Sequence, residues 1–196
     1  MRSWNDDPYT KKARKENYEA RSVYKLEEIE KREKIFKGVK TVLDLGAAPG
    51  SWSQYCLQRV PKVGGKVIAI DISPIHISDE RLVFLQKSIE TVDLTPHVPQ
   101  GLVDLILSDM APKTSGIHTS DVAQSFELAT LAYQCCVKFL KPKGSFVSKL
   151  FMGDSFEDYH KLLKANFGQV RLLRPDSTRK HSREIFFVAK QFAPKT

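Results

Sequence analysis

The chain has 196 residues, of which 41% are hydrophobic, and it carries 31 basic against 23 acidic side chains. This length and apolar fraction suit one globular domain and exclude a disordered chain or a disulfide-stapled miniprotein. The three cysteines give neither an even disulfide framework nor a CxxC zinc spacing, and no apolar run is long enough to span a membrane. The N-terminus lacks the apolar segment of a signal peptide. We therefore expect a soluble, reduced protein of the cytoplasm.

The net charge of +8 is concentrated in the two terminal segments. Residues 1–40 carry 12 basic and 8 acidic side chains, residues 174–196 carry 6 and 2, and the segment between them is neutral. Basic segments that flank a neutral core favour a phosphate-rich partner. A membrane surface is the weaker alternative, because no basic stretch is paired with a strongly apolar helix face. The charge pattern therefore predicts a nucleic-acid partner.

In chain order, a charged helix is followed by short apolar runs that alternate with longer amphipathic segments. The helix is predicted at 18–34, strands at 40–45, 66–71, 82–85, 103–108 and 145–149, further helices at 51–60, 121–140 and 156–166, and a last pair of strands at 170–173 and 185–189. This alternation is typical of a doubly wound α/β sheet, and the last pair is predicted as an antiparallel hairpin. We expect one domain over residues 1–196, with a basic helical extension at 1–40 and an α/β core at 41–192.

A loop of small residues, Asp44-Leu-Gly-Ala-Ala-Pro-Gly50, separates the first core strand from a helix for which Ser51 is the predicted N-cap. An α/β sheet opens its ligand crevice at such a loop, where glycine lets the backbone approach a ligand. The loop matches neither the GxGxxG dinucleotide pattern nor a P-loop. Asp71 ends the next strand, 21 residues after Gly50, where a carboxylate can accept hydrogen bonds from ribose hydroxyls. The pattern predicts a nucleoside ligand and leaves NAD and S-adenosylmethionine both open.

Four separate segments carry a more specific signal. They are Asp44-Leu-Gly-Ala-Ala-Pro-Gly-Ser-Trp52, Ser108-Asp-Met-Ala-Pro112, Gly144-Ser-Phe-Val-Ser-Lys149 and Pro175-Asp-Ser-Thr-Arg-Lys-His-Ser-Arg-Glu184. In this order they resemble the FtsJ-type (RlmE-like) ribosomal RNA ribose 2′-O-methyltransferases, over about residues 18–189. The resemblance implies a Rossmann-like methyltransferase fold with a doubly wound, mostly parallel seven-stranded sheet. It also implies S-adenosylmethionine as methyl donor and S-adenosylhomocysteine as product.

The resemblance further implies a catalytic Lys-Asp-Lys-Glu tetrad, which falls on Lys25, Asp109, Lys149 and Glu184. Asp109 and Lys149 each end a predicted parallel strand, so both are expected at the crevice beyond the carboxyl ends of the strands. A neutral Lys149 is the candidate base for a ribose 2′-hydroxyl. A charged Lys149 that orients the hydroxyl while water takes the proton is the alternative that the residues leave open.

The remaining candidate residues divide into donor contacts and RNA contacts. Where relatives carry Gly-Asp, this chain has Lys87-Ser88, so adenine recognition is left to Ser88, a backbone amide or a shifted residue. For Trp4, Tyr9 and Tyr18, a frayed terminus or packing against the sheet is favoured over base stacking. The donor is expected to contact Asp44, Gly46, Gly50, Trp52, Asp71 and Asp109, with Met110 beside them. RNA phosphates are expected to contact Lys11, Lys12, Arg14, Arg21, Arg179, Lys180 and Arg183.

Three functions stay open at this point. The leading hypothesis is methylation of a uridine ribose in large-subunit ribosomal RNA, on the 50S particle, by a monomer. The alternatives are ribose methylation of transfer RNA and a noncatalytic RNA-binding ribosome-assembly factor that retains the fold. An NAD-dependent oxidoreductase is disfavoured by Ala-Ala-Pro in the loop. The five histidines show no metal spacing, so we expect neither a structural nor a catalytic metal.

Overall fold

The computed structural model describes residues 7–98, 103–113, 116–179 and 181–194. None of the helices in these ranges is both long enough and apolar enough to cross a bilayer. In chain order the helices and strands are α1 (Pro8–Lys15), α2 (Val23–Glu33), β1 (Thr41–Leu45), α3 (Ser51–Arg59), β2 (Lys66–Asp71), β3 (Leu82–Gln86), β4 (Val103–Ser108), α4 (His118–Phe139), β5 (Leu140–Phe151), α5 (Phe156–Asn166), β6 (Phe167–Leu173) and β7 (Glu184–Phe192). Helices α3, α4 and α5 are interspersed among seven strands, whereas β2, β3 and β4 follow one another, within the described residues, without a helix between them.

The seven strands form a single sheet in the order β3-β2-β1-β4-β5-β7-β6. Strands β1 to β5 pair in parallel, whereas β7 runs antiparallel to both β5 and β6. The chain winds outwards from β1 in one direction and then returns to add β4 on its other side. Ligands of such sheets bind at this reversal, beyond the carboxyl ends of the strands. The predicted fold class and the C-terminal hairpin are confirmed.

Apolar side chains cover both faces of the sheet. Helices α4 and α5 pack on one face, where Tyr159 and Phe139 are buried. Helices α2 and α3 pack on the other, where Leu26 and Trp52 are buried. Apolar residues recur along one side of α2, so Leu26 and the apolar residues one helical turn before and after it face the sheet. This packing carries Lys25 to the carboxyl end of the sheet, near β7.

The structure differs from the sequence-based expectations at several places: α2 begins at Val23 and not at residue 18, and β6 begins at Phe167 and not at residue 170. Helix α1 was not predicted, although Asp7 caps its N-terminus by accepting a hydrogen bond from the Tyr9 N–H at 2.9 Å. Strand β5 begins at Leu140 instead of residue 145, because Leu140 already pairs with β4 before a register shift. Ser51 is not the N-cap of α3: Gly50 occupies that position, and the Ser51 hydroxyl is hydrogen-bonded to the Ser22 hydroxyl at 2.8 Å.

Candidate active site

A cavity of about 740 Å³ lies beyond the carboxyl ends of β1, β2 and β4. Three of the predicted donor residues line it: Gly46, Asp71 and Asp109. Its other walls come from the segment after β3, the segment after β4, and one side of α4. The lining of these walls includes Lys87, Ser88, Ile89, Glu90, Met110, Ala111, Gln124, Glu127, Leu128 and Leu131.

Gly46 forms the floor of this cavity and cannot be replaced by a larger residue without strain. Its φ of +77° lies in the left-handed region, and a Cβ atom there would stand 2.8 Å from Met110 Cγ and 2.9 Å from Met110 Cα. The Gly46 and Ala47 N–H groups both donate to the carbonyl of Ile70, at 2.9 and 3.1 Å. The loop is therefore held against the end of β2, with its backbone close to the cavity.

Asp71 joins the glycine loop to the segment after β2. One carboxylate oxygen accepts a hydrogen bond from the Ala48 N–H at 2.9 Å, and the other accepts from the Ser73 N–H at 2.8 Å. A carboxylate oxygen has two acceptor positions, so each keeps one for a further donor. Asp71 is therefore able to accept hydrogen bonds from vicinal hydroxyl groups of a ligand in the cavity.

Asp44 lies beneath the loop and is fully buried. Its Oδ2 accepts a hydrogen bond from the Ser53 hydroxyl at 2.6 Å, whereas its Oδ1 has no partner among the described residues. Burial raises the pKa of Asp44 to about 7; the Ser53 hydrogen bond lowers this pKa, and the nearby charges of Asp109 and Asp71 raise it. Of the three acidic residues in this region, Asp71 and Asp109 line the cavity, and their side chains favour a positively charged ligand.

Besides the buried Asp44, two more of the predicted donor residues lie outside the cavity lining, Gly50 and Trp52. Gly50 is the N-cap of α3 and has a φ of +121°. A Cβ atom on Gly50 would stand 2.5 Å from Ile77 Cδ1. Trp52 is only 2% exposed, its ring lies 5.9 Å from that of Phe186, and its Nε1 donates to the Ser22 carbonyl at 2.9 Å. The Trp52 side chain therefore lies in the core, between α3 and the N-terminal segment, and not in the cavity.

The four residues of the predicted tetrad form two ion pairs. Lys149 Nζ donates to Asp109 Oδ1 at 2.9 Å and to the Asp109 backbone carbonyl at 2.6 Å. Lys25 Nζ lies 2.6 Å from Glu184 Oε1. All four side chains are at most 15% exposed. In this environment the charges are only weakly screened by water.

Phe186 lies between the two ion pairs. It is the direct cross-strand neighbour of Lys149 on β5, and Lys25 Nζ lies 5.7 Å from the centre of its ring. Side chains two residues apart on a strand share a face, so Glu184 lies on the same face of β7 as Phe186. Directly opposed residues of an antiparallel pair have Cβ atoms about 5 Å apart. The structure therefore brings the four residues together at the carboxyl end of the sheet, beside the cavity.

The predicted RNA-contacting residues occupy two neighbouring parts of the surface. Arg21 forms an ion pair with Asp7 and donates to the carbonyl of Ser177. Burial and then the charge of Arg179 lower the pKa of Arg21, whereas Glu184 raises it, which places this guanidinium close to the tetrad. Lys11, Lys12, Arg14, Arg179 and Arg183 are exposed, and Lys180 lies outside the described residues.

The aromatic residues of the N-terminal segment pack on one another. The rings of Tyr9 and Tyr18 lie 5.5 and 6.5 Å from that of Tyr24. Lys12 Nζ lies 4.2 Å from the centre of the same Tyr24 ring. This agrees with the packing that the sequence favoured for Tyr9 and Tyr18, whereas Trp4 lies outside the described residues.

One wall of the cavity was not identified from the sequence. Gln124, Glu127, Leu128 and Leu131 share one side of α4, with the spacing of successive helical turns. That spacing was visible in the sequence, but it does not say that this side of α4 faces a ligand cavity. Within the described ranges, no group of three or more His, Cys, Asp or Glu side chains is arranged to hold a metal ion.

Comparison with known proteins extends over nearly the whole chain. The chain is 45% identical to a Bdellovibrio bacteriovorus protein called ribosomal RNA large subunit methyltransferase E, over 93% of this chain and 94% of the relative. It is 43% identical to a protein of the same name from Desulfatibacillum aliphaticivorans, over 94% of this chain and 89% of the relative. A Plasmodium falciparum structure described as a ribosomal RNA methyltransferase superimposes with a TM-score of 0.79 at 28% identity, covering 91% of this chain and all of that one.

A more distant structure shares the fold alone. It is a Burkholderia thailandensis N1-methyltransferase with S-adenosylhomocysteine bound, at 16% identity and a TM-score of 0.57, covering 96% of this chain and 80% of that one. The sequence profile of the FtsJ-like methyltransferases, in contrast, matches residues 18–192, which include every described element except α1. The predicted enzyme class is confirmed, and the chain belongs to the FtsJ-like methyltransferase family.

Proposed function

We propose that this protein transfers a methyl group from S-adenosylmethionine to a ribose 2′-hydroxyl of large-subunit ribosomal RNA. The observation that carries the proposal is the pair of buried ion pairs, Lys149 with Asp109 and Lys25 with Glu184, beside the cavity. The names of the relatives support ribosomal RNA as the substrate. The resemblance further supports a uridine ribose on the 50S particle as the target.

The cavity residues fit the methyl donor. Asp71 keeps acceptor positions for the two ribose hydroxyls, and Gly46 leaves room for a ligand against the loop backbone. The side chains of Asp71 and Asp109, which line the cavity, match a ligand that carries a sulfonium and an ammonium group. When bound, S-adenosylmethionine would supply a methyl group whose carbon the ribose oxygen attacks in line with the C–S bond, so that S-adenosylhomocysteine leaves and the hydroxyl proton passes to a base or to water. Ser88 and Glu90 line the side of the cavity where the family's adenine contact is missing.

Lys149 is placed to act on the attacking hydroxyl. Two of its N–H groups are directed to the carbonyl and carboxylate of Asp109, which leaves one direction for a substrate. In that direction the ammonium form donates to the hydroxyl oxygen, whereas the neutral amine accepts its proton. Both forms hold the oxygen in place, and orientation supplies much of the rate acceleration in a displacement of this kind.

Lys25 and Glu184 hold the other side of the reacting centre. Lys25 neutralises Glu184 at 2.6 Å, so neither charge is buried without a partner. Both carry polar atoms that can hydrogen-bond to a ribose held beside them. Asp109 has the complementary role: it fixes Lys149 and lines the donor cavity, and so it connects the two substrates.

The substrate is tested by tritium transfer from labelled S-adenosylmethionine to four acceptors. These are large ribosomal subunits that lack ribose methylation, free large-subunit ribosomal RNA, transfer RNA and single-stranded DNA. Incorporation into the ribosomal acceptors and none into DNA is expected, because DNA lacks the 2′-hydroxyl. Incorporation into transfer RNA alone would show that the substrate is transfer RNA and not ribosomal RNA. Incorporation into none of the four, by a protein that binds the donor, would favour the assembly-factor hypothesis.

A further inference from the structure

A second cavity, of about 490 Å³, lies beside the start of β7. Its lining includes Arg174, Arg183, His118, His181, Ser182 and Met152. The described residues that line it do not line the donor cavity, and none of them is acidic. This cavity, which we call the basic pocket, therefore offers donor groups to a ligand and no negative charge to repel an anion.

The basic pocket is directly attached to the tetrad. Arg183 and Ile185 line it and are the chain neighbours of Glu184, and consecutive Cα atoms are 3.8 Å apart. The Glu184 N–H donates to the Ser182 hydroxyl at 3.3 Å. On the opposite wall, the Met152 N–H donates to the Arg183 carbonyl at 3.0 Å. Successive side chains of a strand alternate between faces, so Arg183 and Ile185 point to the face of β7 opposite Glu184, and the pocket and the tetrad lie on the two sides of the same end of the sheet. An RNA strand that crosses this end of the sheet with one ribose at Glu184 therefore brings an adjoining nucleotide to the pocket.

The pocket combines the two kinds of surface that a nucleotide needs. Arg174 donates to the Ser182 carbonyl at 2.7 Å, which fixes its guanidinium at the rim. Arginine is well suited to phosphate because its planar fork presents several N–H groups at once. Met152 is 43% exposed, so its side chain is accessible to a ligand in the pocket. Its polarizable thioether is suited to contact with the flat face of a nucleobase.

We propose that the basic pocket is a subsite for the RNA nucleotide that adjoins the methylated ribose. Arg183 and Arg174 hold its phosphate, and its base lies against Met152. This inference rests on the proposed function, since the tetrad defines where the methylated ribose lies. A subsite beside the reacting ribose gives the enzyme a hold on the RNA backbone, which fixes the orientation of the 2′-hydroxyl.

The test compares Arg183→Gln and Met152→Ala with the control Lys62→Gln. The control removes the same charge from an exposed position in the turn before β2, at the amino-terminal end of the parallel strands. Binding of a fluorescein-labelled, 12-nucleotide single-stranded RNA is measured by anisotropy over a series of KCl concentrations. Methylation of large ribosomal subunits gives KM and kcat, and calorimetry gives the affinity for S-adenosylhomocysteine.

Arg183→Gln is expected to weaken RNA binding about 10-fold and to reduce the slope of log K against log[KCl] by about 0.7, the value for one phosphate on a single strand. Met152→Ala is expected to weaken binding several-fold with no change of slope, because it removes a base contact. Both variants should raise KM for ribosomal subunits and leave S-adenosylhomocysteine binding unchanged.

Three results would overturn the subsite. Arg183→Gln could behave like Lys62→Gln in affinity and in salt slope, both variants could change kcat with KM unaffected, or a phosphoserine peptide could displace the RNA at lower concentration than unlabelled RNA does. Failure of the proposed function has a different signature. The wild-type protein would then bind the RNA, with the expected effects of both variants, but would transfer no methyl group to ribosomal subunits or free ribosomal RNA.

Discussion

The buried carboxylate of Asp44 predicts a pH dependence of stability that one substitution should remove. Asp44 is fully buried with a single hydrogen bond, from Ser53, and its pKa is raised from 3.8 to about 7. The folded protein thus holds this proton more tightly than the unfolded chain does. Its contribution is most favourable below about pH 4 and declines as the pH rises towards 7, where the folded protein has to ionise it. Asp44→Asn, which mimics the protonated form, has no such decline.

The size of the effect follows from the two pKa values. A difference of about 3 in pKa corresponds to about 4 kcal/mol, spread over the range between the two values. About 2.5 kcal/mol of this decline in stability falls between pH 5 and pH 8, because the rest is already complete at pH 5. The unfolding free energy of the wild type minus that of Asp44→Asn should therefore fall by about 2.5 kcal/mol over this range.

Urea unfolding at pH 5, 6, 7 and 8, followed by circular dichroism, measures this difference. Other titrating groups are common to both proteins and cancel in the subtraction. Asp154→Asn is the control, since it removes an exposed carboxylate between β5 and α5. Its difference from the wild type should stay constant with pH. A constant difference for Asp44→Asn as well would refute the inference that burial keeps Asp44 protonated near neutral pH.

Two further predictions use matched pairs of variants. Gly46→Ala should bind S-adenosylhomocysteine at least about 10-fold more weakly by calorimetry, because its Cβ would stand 2.8 Å from Met110 Cγ. Gly64→Ala is the control: Gly64 has the same φ of +77° but open space around it, so this variant should bind as the wild type does. Equal affinities of the two variants would contradict the role of the loop in donor binding. Glu28→Ala should lower the free energy of unfolding in urea by about 1–3 kcal/mol, because it leaves the N–H of the buried Ser177 without its 3.0 Å acceptor. Glu27→Ala, which removes an ion pair with the exposed Lys31, should lower the free energy of unfolding by less than about 0.5 kcal/mol. Equal losses for Glu28→Ala and Glu27→Ala would contradict the role of Glu28 as the acceptor for the Ser177 N–H.

The sheet was predictable because its strands are continuous apolar runs bounded by turn residues. Helix α5 was placed over the residues that form it, since its apolar spacing and both of its ends are local features. The start of β5 was missed because Pro142 and Gly144 are typical of turns, whereas the pairing of Leu140 with Val103 on β4 is a long-range contact. A local pattern contains no information about such a contact.

The candidate site shows the same division between local and long-range information. Asp109 and Lys149 could be placed at the crevice from the sequence because Asp109 directly follows β4 and Lys149 lies near the carboxyl end of β5. The pairing of Lys25 with Glu184 depends on how α2 packs against β7, which only the structure shows. Trp52 has the spacing of a core residue and of a pocket residue alike, and its side was decided by the orientation of α3.

The central claim is ribose methylation assisted by Lys149, and product analysis after alkaline hydrolysis tests it most directly. Ribosomal RNA labelled by the wild-type enzyme should keep its tritium in an alkali-resistant dinucleotide, because a methylated 2′-oxygen cannot attack the neighbouring phosphate. Lys149→Ala should lose at least about 100-fold of this incorporation and keep its affinity for S-adenosylhomocysteine. Tritium released in mononucleotides, or an alanine variant as active as the wild type, would contradict the account.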